Sequence, residues 1–425
     1  MILLMFSVFF ATLLLGVPVA FALGLAALVY CVGAQIPLII LPQKMYAGID
    51  VFVLLCIPGF ILAGNLMNAS GITGRIIALC NALLGHVRGG LGLANVAASM
   101  LFAGISGTAV ADTAALGAVL IPAMKEEGYD TEFSCAVTAC SSTVGPIIPP
   151  SLPMIIAGTL TGLSVSKLFL AGALPGILLA LGLMITSWAI SRRRGHPKHP
   201  KASLRQVLRA LRQASWALCL PVIILVGILS GWVTPTEASI VAVLYALLVG
   251  TVVYRSLGLR ALLRVTQASA TTTASLMVLV GFANLFSWIL AREQIPQAIA
   301  ATLLDLTHNK YLILLLINGL LLLVGTFMET IAALIILFPV LLKVAVSVGV
   351  DPLQFAVIAV LNLVIGLTTP PVGVCLFVAG SIGNLSLTRL SIAVLPFLGV
   401  SLIVLSLVTY VPAISLTLPG LLQGH

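Results

Sequence analysis

The sequence predicts an all-α membrane protein of about ten to twelve transmembrane helices, with two re-entrant hairpins set in inverted repeats. Three observations predict it. The chain is 61 % hydrophobic and 7 % charged with a mean hydropathy of +1.24, too little polar surface to cover a water-soluble body of 425 residues. A string of Gly, Pro and Asp between residues 91 and 175 returns between 312 and 396. Within each copy, two apolar segments are interrupted where an uninterrupted helix would be expected to cross.

Stretches near 2–30, 51–70, 168–190, 216–233, 236–254 and 390–411 are apolar over the roughly 20 residues needed to cross a bilayer. Alternating ten-residue strands are not visible, which argues against a β-barrel. The N-terminus lacks a charged n-region and a small-residue cleavage site, and its first charge is Lys44, so residues 1–50 read as a retained membrane helix and its connection. Repeat one then covers 51–190, a basic linker 191–213, scaffold helices 214–270, repeat two 271–412 and a tail 413–425. The seven cysteines, at 31, 56, 80, 135, 140, 219 and 375, form no CxxC pair and read as small buried residues, with neither disulfides nor a metal site.

The repeat is specific. Gly128, Asp130, Gly145, Pro149, Pro150, Leu174 and Pro175 recur 221 positions later as Gly349, Asp351, Gly366, Pro370, Pro371, Leu395 and Pro396. With a four-residue gap upstream, Asp112 and Pro122 pair with Glu329 and Pro339. Duplicated halves with paired breaks are how many secondary transporters are built.

The net charge of +9 is concentrated rather than spread as nucleic-acid binding would require: eight of the 20 Lys and Arg lie between 191 and 213. Flanked by membrane spans, this linker is cytoplasmic by the positive-inside rule. His196 and His199 in it read as part of a solvated basic loop. Leu204, Val207, Leu208 and Leu211 share one helical face, as in a helix resting on the anionic inner leaflet and its lipids. Helix 168–190 runs into this linker, whereas its counterpart 390–411 is followed by no Lys or Arg. Equivalent helices therefore end on opposite sides, which makes the repeats inverted.

Residues 91–123 comprise two apolar arms of about thirteen residues around a Gly/Ser/Thr-rich centre, and 311–341 repeats the design around Gly325 and Thr326. Arms of about 20 Å cannot cross alone, so hairpins are expected, the alternative being a long kinked helix. Asp112 and Glu329 are the only charges inside these segments. A carboxylate at membrane depth costs a few kcal/mol unless paired or hydrated. Each is expected to cap the second half-helix, with ligation of substrate or ion as the other role.

The second break is a double proline, GPIIPPS at 145–151 and GLTTPPVG at 366–373. Proline removes a helical hydrogen bond and crowds the carbonyl four residues back, so these segments should unwind and offer carbonyl oxygens to a monovalent cation. Helices restarting after Pro150 and Pro371 would direct N-terminal dipoles toward an anionic substrate. TPTEA, 234–238, reads as an interfacial turn starting the next helix, and Arg75, Arg88, Arg292 and Glu293 as interfacial anchors.

GISGTAVAD at 104–112, GPIIPPS at 145–151, GWVTPTEAS at 231–239 and GLTTPPVG at 366–373 resemble the large membrane subunit of the tripartite ATP-independent periplasmic (TRAP) transporters, over essentially the whole chain. The resemblance implies a multi-pass permease of the bacterial inner membrane that imports an organic anion, a sugar acid or carboxylate, with sodium ions and no other cofactor. It implies two partners, a small four-helix membrane subunit and a periplasmic substrate-binding protein, and an elevator-like movement. Carried across by position, it assigns one sodium site to Ser106, Gly145, Ile148 and Pro150 and a second to Gly325, Gly366, Thr369 and Val372. Gly104, Ser106, Thr108, Asp112, Thr326 and Glu329 fall at the hairpin tips. Where the family often has serine, this chain has Ala103.

Other classes fit less well. No HExxH and no intramembrane histidine pair supports an enzyme, no GxxxxGK[ST] supports ATP-driven transport, and two inverted halves do not suit a symmetric channel. The nearest alternative is a self-sufficient sodium/carboxylate symporter of similar internal design.

Overall fold

A computed structural model of the chain describes residues 1–106, 108–295, 298 and 309–423, with the backbone alone at 14, 103–106 and 423. Every regular element among the described residues is helical. Helices α1 (Ile2–Leu14) and α2 (Val19–Gly33) pack on each other, followed by α3 (Ile40–Ile49), α4 (Cys56–Ala69) and α5 (Ile72–Leu84). The expected single span at 2–30 is thus two helices, because Gly16 takes a left-handed φ of 81° and Pro18 cannot continue the first one. Repeat one continues with α6 (Gly90–Ser106), α7 (Ala109–Glu126), α8 (Thr131–Ser141), α9 (Leu152–Thr161) and α10 (Val165–Arg194). Helices α11 (Leu204–Leu229), α12 (Pro235–Leu248) and α13 (Leu259–Arg292) follow. Repeat two is α14 (Lys310–Phe327), α15 (Thr330–Ser347), α16 (Pro352–Gly366), α17 (Val374–Gly383) and α18 (Leu387–Tyr410), and α19 (Ala413–Gln423) closes the chain. The boundary drawn at 270/271 falls inside α13, a single 34-residue helix.

Both interrupted segments fold back as hairpins. Lys310 Nζ at the start of α14 donates to the Gly349 carbonyl just past α15 (2.8 Å), and the Leu91 N–H at the start of α6 meets the Tyr129 hydroxyl just past α7 (3.3 Å). A long kinked helix would hold these ends far apart. The arms are 17 and 18 residues, longer than the thirteen expected, because the helices extend past the apolar stretch into Lys125, Glu126 and Lys343. At about 1.5 Å per residue they approach 27 Å.

The inversion is visible at the helix ends. At the start of α8, Asp130 accepts from Arg194 at the end of α10 (2.8 Å), and Glu132 lies 3.9 Å from Arg389 at the start of α18. Equivalent helices α10 and α18 pack side by side, the end of one near the start of the other. At the far end of α18, Gln354 Nε2 donates to the carbonyls of Val408 and Thr409, and Tyr410 to that of Tyr311. The two hairpins therefore open on opposite sides.

Around this repeat core stand α4, α12 and α13, with α12 and α13 each packed on α4. Gly59 of α4 makes that contact possible, since a β-carbon there would lie 2.3 Å from Ser239 Oγ on α12. The TPTEA segment starts α12 with a capping box: Thr234 Oγ1 accepts the Glu237 N–H while Glu237 Oε2 accepts the Thr234 N–H. Arg75 stacks on Tyr254, with 3.7 Å to the ring centroid, and Arg292 lies over Trp288. Six cysteines are buried as expected, whereas Cys219 is exposed.

The linker differs from the solvated loop expected of it. His196 is only 5 % exposed, its ring 4.7 Å from those of both Tyr129 and Phe133, with Ser191 Oγ and Asp130 Oδ2 at 3.1 and 3.3 Å. His199 pairs with Glu127 (2.7 Å) and donates its N–H to the Gly85 carbonyl. Two aromatic rings supply enough apolar surface to bury an imidazole, and the strap ties α5 to the base of the first hairpin. Nor is the amphipathic stretch a separate helix. Capped by Ser203, it forms the first turns of the 26-residue α11, with Leu204, Leu208 and Leu211 exposed.

Burial holds His196 below its ordinary value of 6.5, outweighing the Asp130 hydrogen bond that raises it, while the Arg194 hydrogen bond holds Asp130 low. The folded state thus prefers neutral imidazole, and unfolding takes up a proton below pH 6.5. The contribution of His196 is complete above that pH and falls as acid carries it toward the folded value. The stability difference between the native chain and His196→Asn, measured as Tm from pH 8 to 5, should shrink on acidification. A difference that grows would mean that the imidazolium–Asp130 pair dominates instead.

Candidate functional site

The hairpin tips meet the double-proline breaks, and each meeting is closed by a glycine. In repeat two, α14 ends at Phe327 and the chain crosses Met328 and Glu329 in extended conformation before α15. Gly325 and Thr326 are buried, and the Thr326 carbonyl accepts the Gly373 N–H (3.1 Å). A β-carbon on Gly366 would lie 2.5–2.9 Å from the backbone of Gly325. Two backbones touch there without an intervening side chain. After Gly366 the chain winds tightly, Thr369 donating its N–H to the Gly366 carbonyl and its hydroxyl to that of Ile365. The Pro370–Pro371 bond is cis, and α17 starts at Val374. Thr369 and Val372 are half-buried.

Repeat one closes differently. Asp112 is fully buried, and a β-carbon on Gly145 would lie 2.3 Å from its Oδ2. The carboxylate therefore occupies the side of the break that hairpin backbone occupies in repeat two. Gly145 is followed by a turn in which Val144 accepts from Ile147 and Ile148, then by a cis Pro149–Pro150 bond and α9, capped by Ser151. Gly172 and Gly176 of α10 pack against Ile147 and Ile148, and Pro150 is buried. Gly104 and Ser106 belong to the last turn of α6, and their side chains lie outside the described residues.

The two carboxylates are not equivalent. Helices α7 and α15 both run 18 residues and start and end at the same offset of 221, with no gap. Glu329 thus corresponds to Thr108, the N-cap of α7, and Asp112 to Ala333. Glu329 accepts the N–H groups of Ile331 and Ala332 (2.9 and 3.2 Å), the role expected of a cap. Asp112 sits four residues past its N-cap, so the capping role expected of it is corrected. Pairing acid with acid in the sequence had shifted the register by one helical turn.

One residue was not singled out in the sequence. Thr330 Oγ1, beside the Glu329 cap, is buried with no hydrogen-bond partner among the described residues, and such a group ordinarily finds water or an ion. A lone Thr opening an apolar helix carries no sequence signal. A cavity of about 160 Å³ adjoins the first tip, where Thr108 and Ala111 face Asn65 and Asn68 of α4, Thr272 of α13 and Leu152 at the start of α9. No charged side chain among the described residues lines it. Its polar character comes from amides, hydroxyls and the N-terminus of α9.

The repeats also exchange partners. Helix α7 packs on α17, the helix restarted in repeat two, and α15 packs on α9, the helix restarted in repeat one.

Gly366→Ala should damage transport more than Gly145→Ala. The first pushes a methyl into backbone, at an overpacking cost of about 1–3 kcal/mol, whereas the second displaces a side-chain oxygen. Uptake rates and Tm of the two variants check this, and equal loss would show that both gaps close on equally rigid neighbours. At the second tip, Glu329→Gln should keep most of the uptake and Glu329→Ala should lose a cap, about 0.5–2 kcal/mol. At the first, Asp112→Asn and Asp112→Ala should be similarly damaging, since charge at Gly145 is what both remove. A measured order in which Asp112→Asn is silent and Glu329→Gln severe would reverse the two roles.

Comparison with known proteins agrees with this architecture. The chain is 44 % identical over 411 residues to the sialic acid TRAP transporter large permease protein SiaM of Vibrio cholerae, covering 96 % of each. It is 40 % identical to the C4-dicarboxylate TRAP transporter large permease protein DctM of Rhodobacter capsulatus, covering 99 % of each. The 2,3-diketo-L-gulonate TRAP transporter large permease protein YiaN of Escherichia coli is 39 % identical, with 94 % of each covered. In fold it resembles the YdaH transporter of Alcanivorax borkumensis, with a TM-score of 0.60 at 15 % identity over 87 % of this chain and 86 % of that one. Residues 6–414 match the family described as tripartite ATP-independent periplasmic transporter, DctM component, and the chain is a multi-pass membrane permease of that family.

Proposed function

We propose that this permease imports an organic anion, a sugar acid or a carboxylate, by coupling it to sodium ions at the two tip-and-break junctions. The carrying observation is that each hairpin tip closes on the glycine preceding a double proline, through the Asp112 carboxylate at Gly145 and through Gly325 backbone at Gly366. Oxygen-rich, partly unwound backbone walled off by packed helices suits a hard monovalent cation. Ser106, Gly145, Ile148 and Pro150 would hold one ion and Gly325, Gly366, Thr369 and Val372 the other, mostly through carbonyl oxygens.

The uncharged cavity by Asn65, Asn68 and Thr108 supports an anion held by dipoles and amides rather than by a buried arginine. Relatives named for sialic acid, C4-dicarboxylates and 2,3-diketo-L-gulonate support an acidic substrate without choosing among them. The family's tripartite description supports two partners, a small membrane subunit and a periplasmic binding protein that delivers the anion. Transport would proceed by movement of the repeat core against α4, α12 and α13.

The test is uptake into proteoliposomes holding this permease and its small membrane partner, with a loaded binding protein outside and a sodium or a potassium gradient imposed. Uptake should follow the sodium gradient and require both partners. Equal uptake under potassium would remove sodium from the mechanism, and uptake by the permease alone would favour the self-sufficient symporter.

A further inference from the structure

Away from the repeat core, three arginines converge on a pocket of about 880 Å³ at the cytoplasmic end of the surrounding helices. Arg75 comes from α5, Arg209 and Arg212 from the first turns of α11, and Trp216 and Tyr254 complete the wall. No carboxylate among the described residues lines it. The segments that build it come from stretches with no Asp or Glu at all, 51–111, 133–236 and 238–292. Three positive charges thus stand together without internal compensation, an arrangement whose mutual repulsion favours an external anion.

The pocket is pre-organised. Arg75 Nη1 donates to the carbonyls of Ser70 and Gly71 (both 2.9 Å), and its guanidinium is stacked on Tyr254. The Tyr254 hydroxyl donates to the Gln213 carbonyl (2.9 Å), and Ser256 Oγ to that of Ser70 (3.2 Å). Three separate elements are thereby tied around the opening. Arg209 and Arg212, three apart on α11, share a face, and the planar fork of each suits a phosphate.

Its surroundings identify the anion. Arg209 and Arg212 are the last basic residues of the 191–213 linker and stand in the second and third turns of α11, at the inner boundary of the membrane. Leu208, Leu211 and Trp216 on the same stretch are 55, 43 and 44 % exposed, an apolar surface beside a cationic one. Along α11 the arginines are followed by Trp216 and then by exposed Val222, an order that matches headgroup, interface and acyl chain. We infer that the pocket formed by Arg75, Arg209, Arg212, Trp216 and Tyr254 is a binding site for the phosphodiester headgroup of an anionic inner-leaflet phospholipid, one that anchors the helices surrounding the repeat core.

The full-length chain, purified in detergent, is titrated with dioleoyl phosphatidylglycerol, with dioleoyl phosphatidylcholine and inorganic phosphate as parallel arms, and bound adducts are counted by native mass spectrometry. Phosphatidylglycerol should bind and raise Tm, and the other two should do neither at equal concentration. Arg209→Gln should weaken phosphatidylglycerol binding about five-fold, and the double variant Arg209→Gln/Arg212→Gln about thirty-fold. Arg193→Gln, in the linker cluster, should leave it unchanged. Undiminished binding in the double variant overturns the inference, as does equal binding of phosphatidylcholine. Inorganic phosphate acting alone would make it a soluble-anion site. Loss of the small membrane partner from the double variant, with lipid binding intact, would make it a protein interface.

Discussion

In a bilayer every backbone N–H and C=O must be satisfied by the protein itself, and this constraint governs where the chain is allowed to break. The fold has four interior breaks, at two hairpin tips and two double prolines, and it brings them together in pairs. Gly325 against Gly366 is the clearest case, because the approach of their backbones leaves no room for a β-carbon. The Gly373 N–H, freed by the second break, is satisfied by the Thr326 carbonyl of the neighbouring tip. Each break is tolerated because another break lies beside it. That convergence of irregular backbone is what the proposed cation sites rest on.

The repeats share a backbone plan but not a chemistry. With equal offsets at both ends of α7 and α15, the cap of one hairpin is Thr108 and of the other Glu329. The acid of repeat one sits a turn deeper, beside Gly145. A carboxylate therefore stands at the break of repeat one, whereas in repeat two hairpin backbone meets the break and the acid stays at the cap. An inverted pair with this asymmetry would bind two ions with unequal strength, since a carboxylate beside a cation stabilises it more than carbonyl dipoles do.

Much of this was legible in the sequence because glycine, proline and acid cost so much in a membrane helix that each had to have a reason. The repeat, the hairpins and the double-proline breaks came from such residues, and the inversion from the Lys and Arg that follow helix 168–190 but not 390–411. What remained illegible depends on contacts between distant segments. The Asp112–Glu329 pairing failed because matching residue types outweighed helix register. The linker histidines looked solvated because Tyr129 and Phe133, which bury His196, lie more than sixty residues away. The N-terminal stretch looked like one span because its hydropathy continues across a turn set by Gly16 and Pro18.

The exchanged packing of α7 on α17 and α15 on α9 has a mechanical consequence. Neither hairpin can slide relative to its own broken helix without dragging the helix restarted in the other repeat. Close-packed interfaces resist partial displacement, so these four helices favour movement as one body. The cavity by Asn65 and Thr272, walled also by Ile61, Phe102 and Leu276, opens a gap in the contacts of the repeat core with α4 and α13. The weaker seam therefore runs between the repeat core and its surroundings, where an anion in the cavity would touch both sides. The strap at 196–199 joins the Gly85 carbonyl of α5's cap to Glu127 of the first hairpin, whose helix α6 already packs on α5, so α5 belongs with the hairpin.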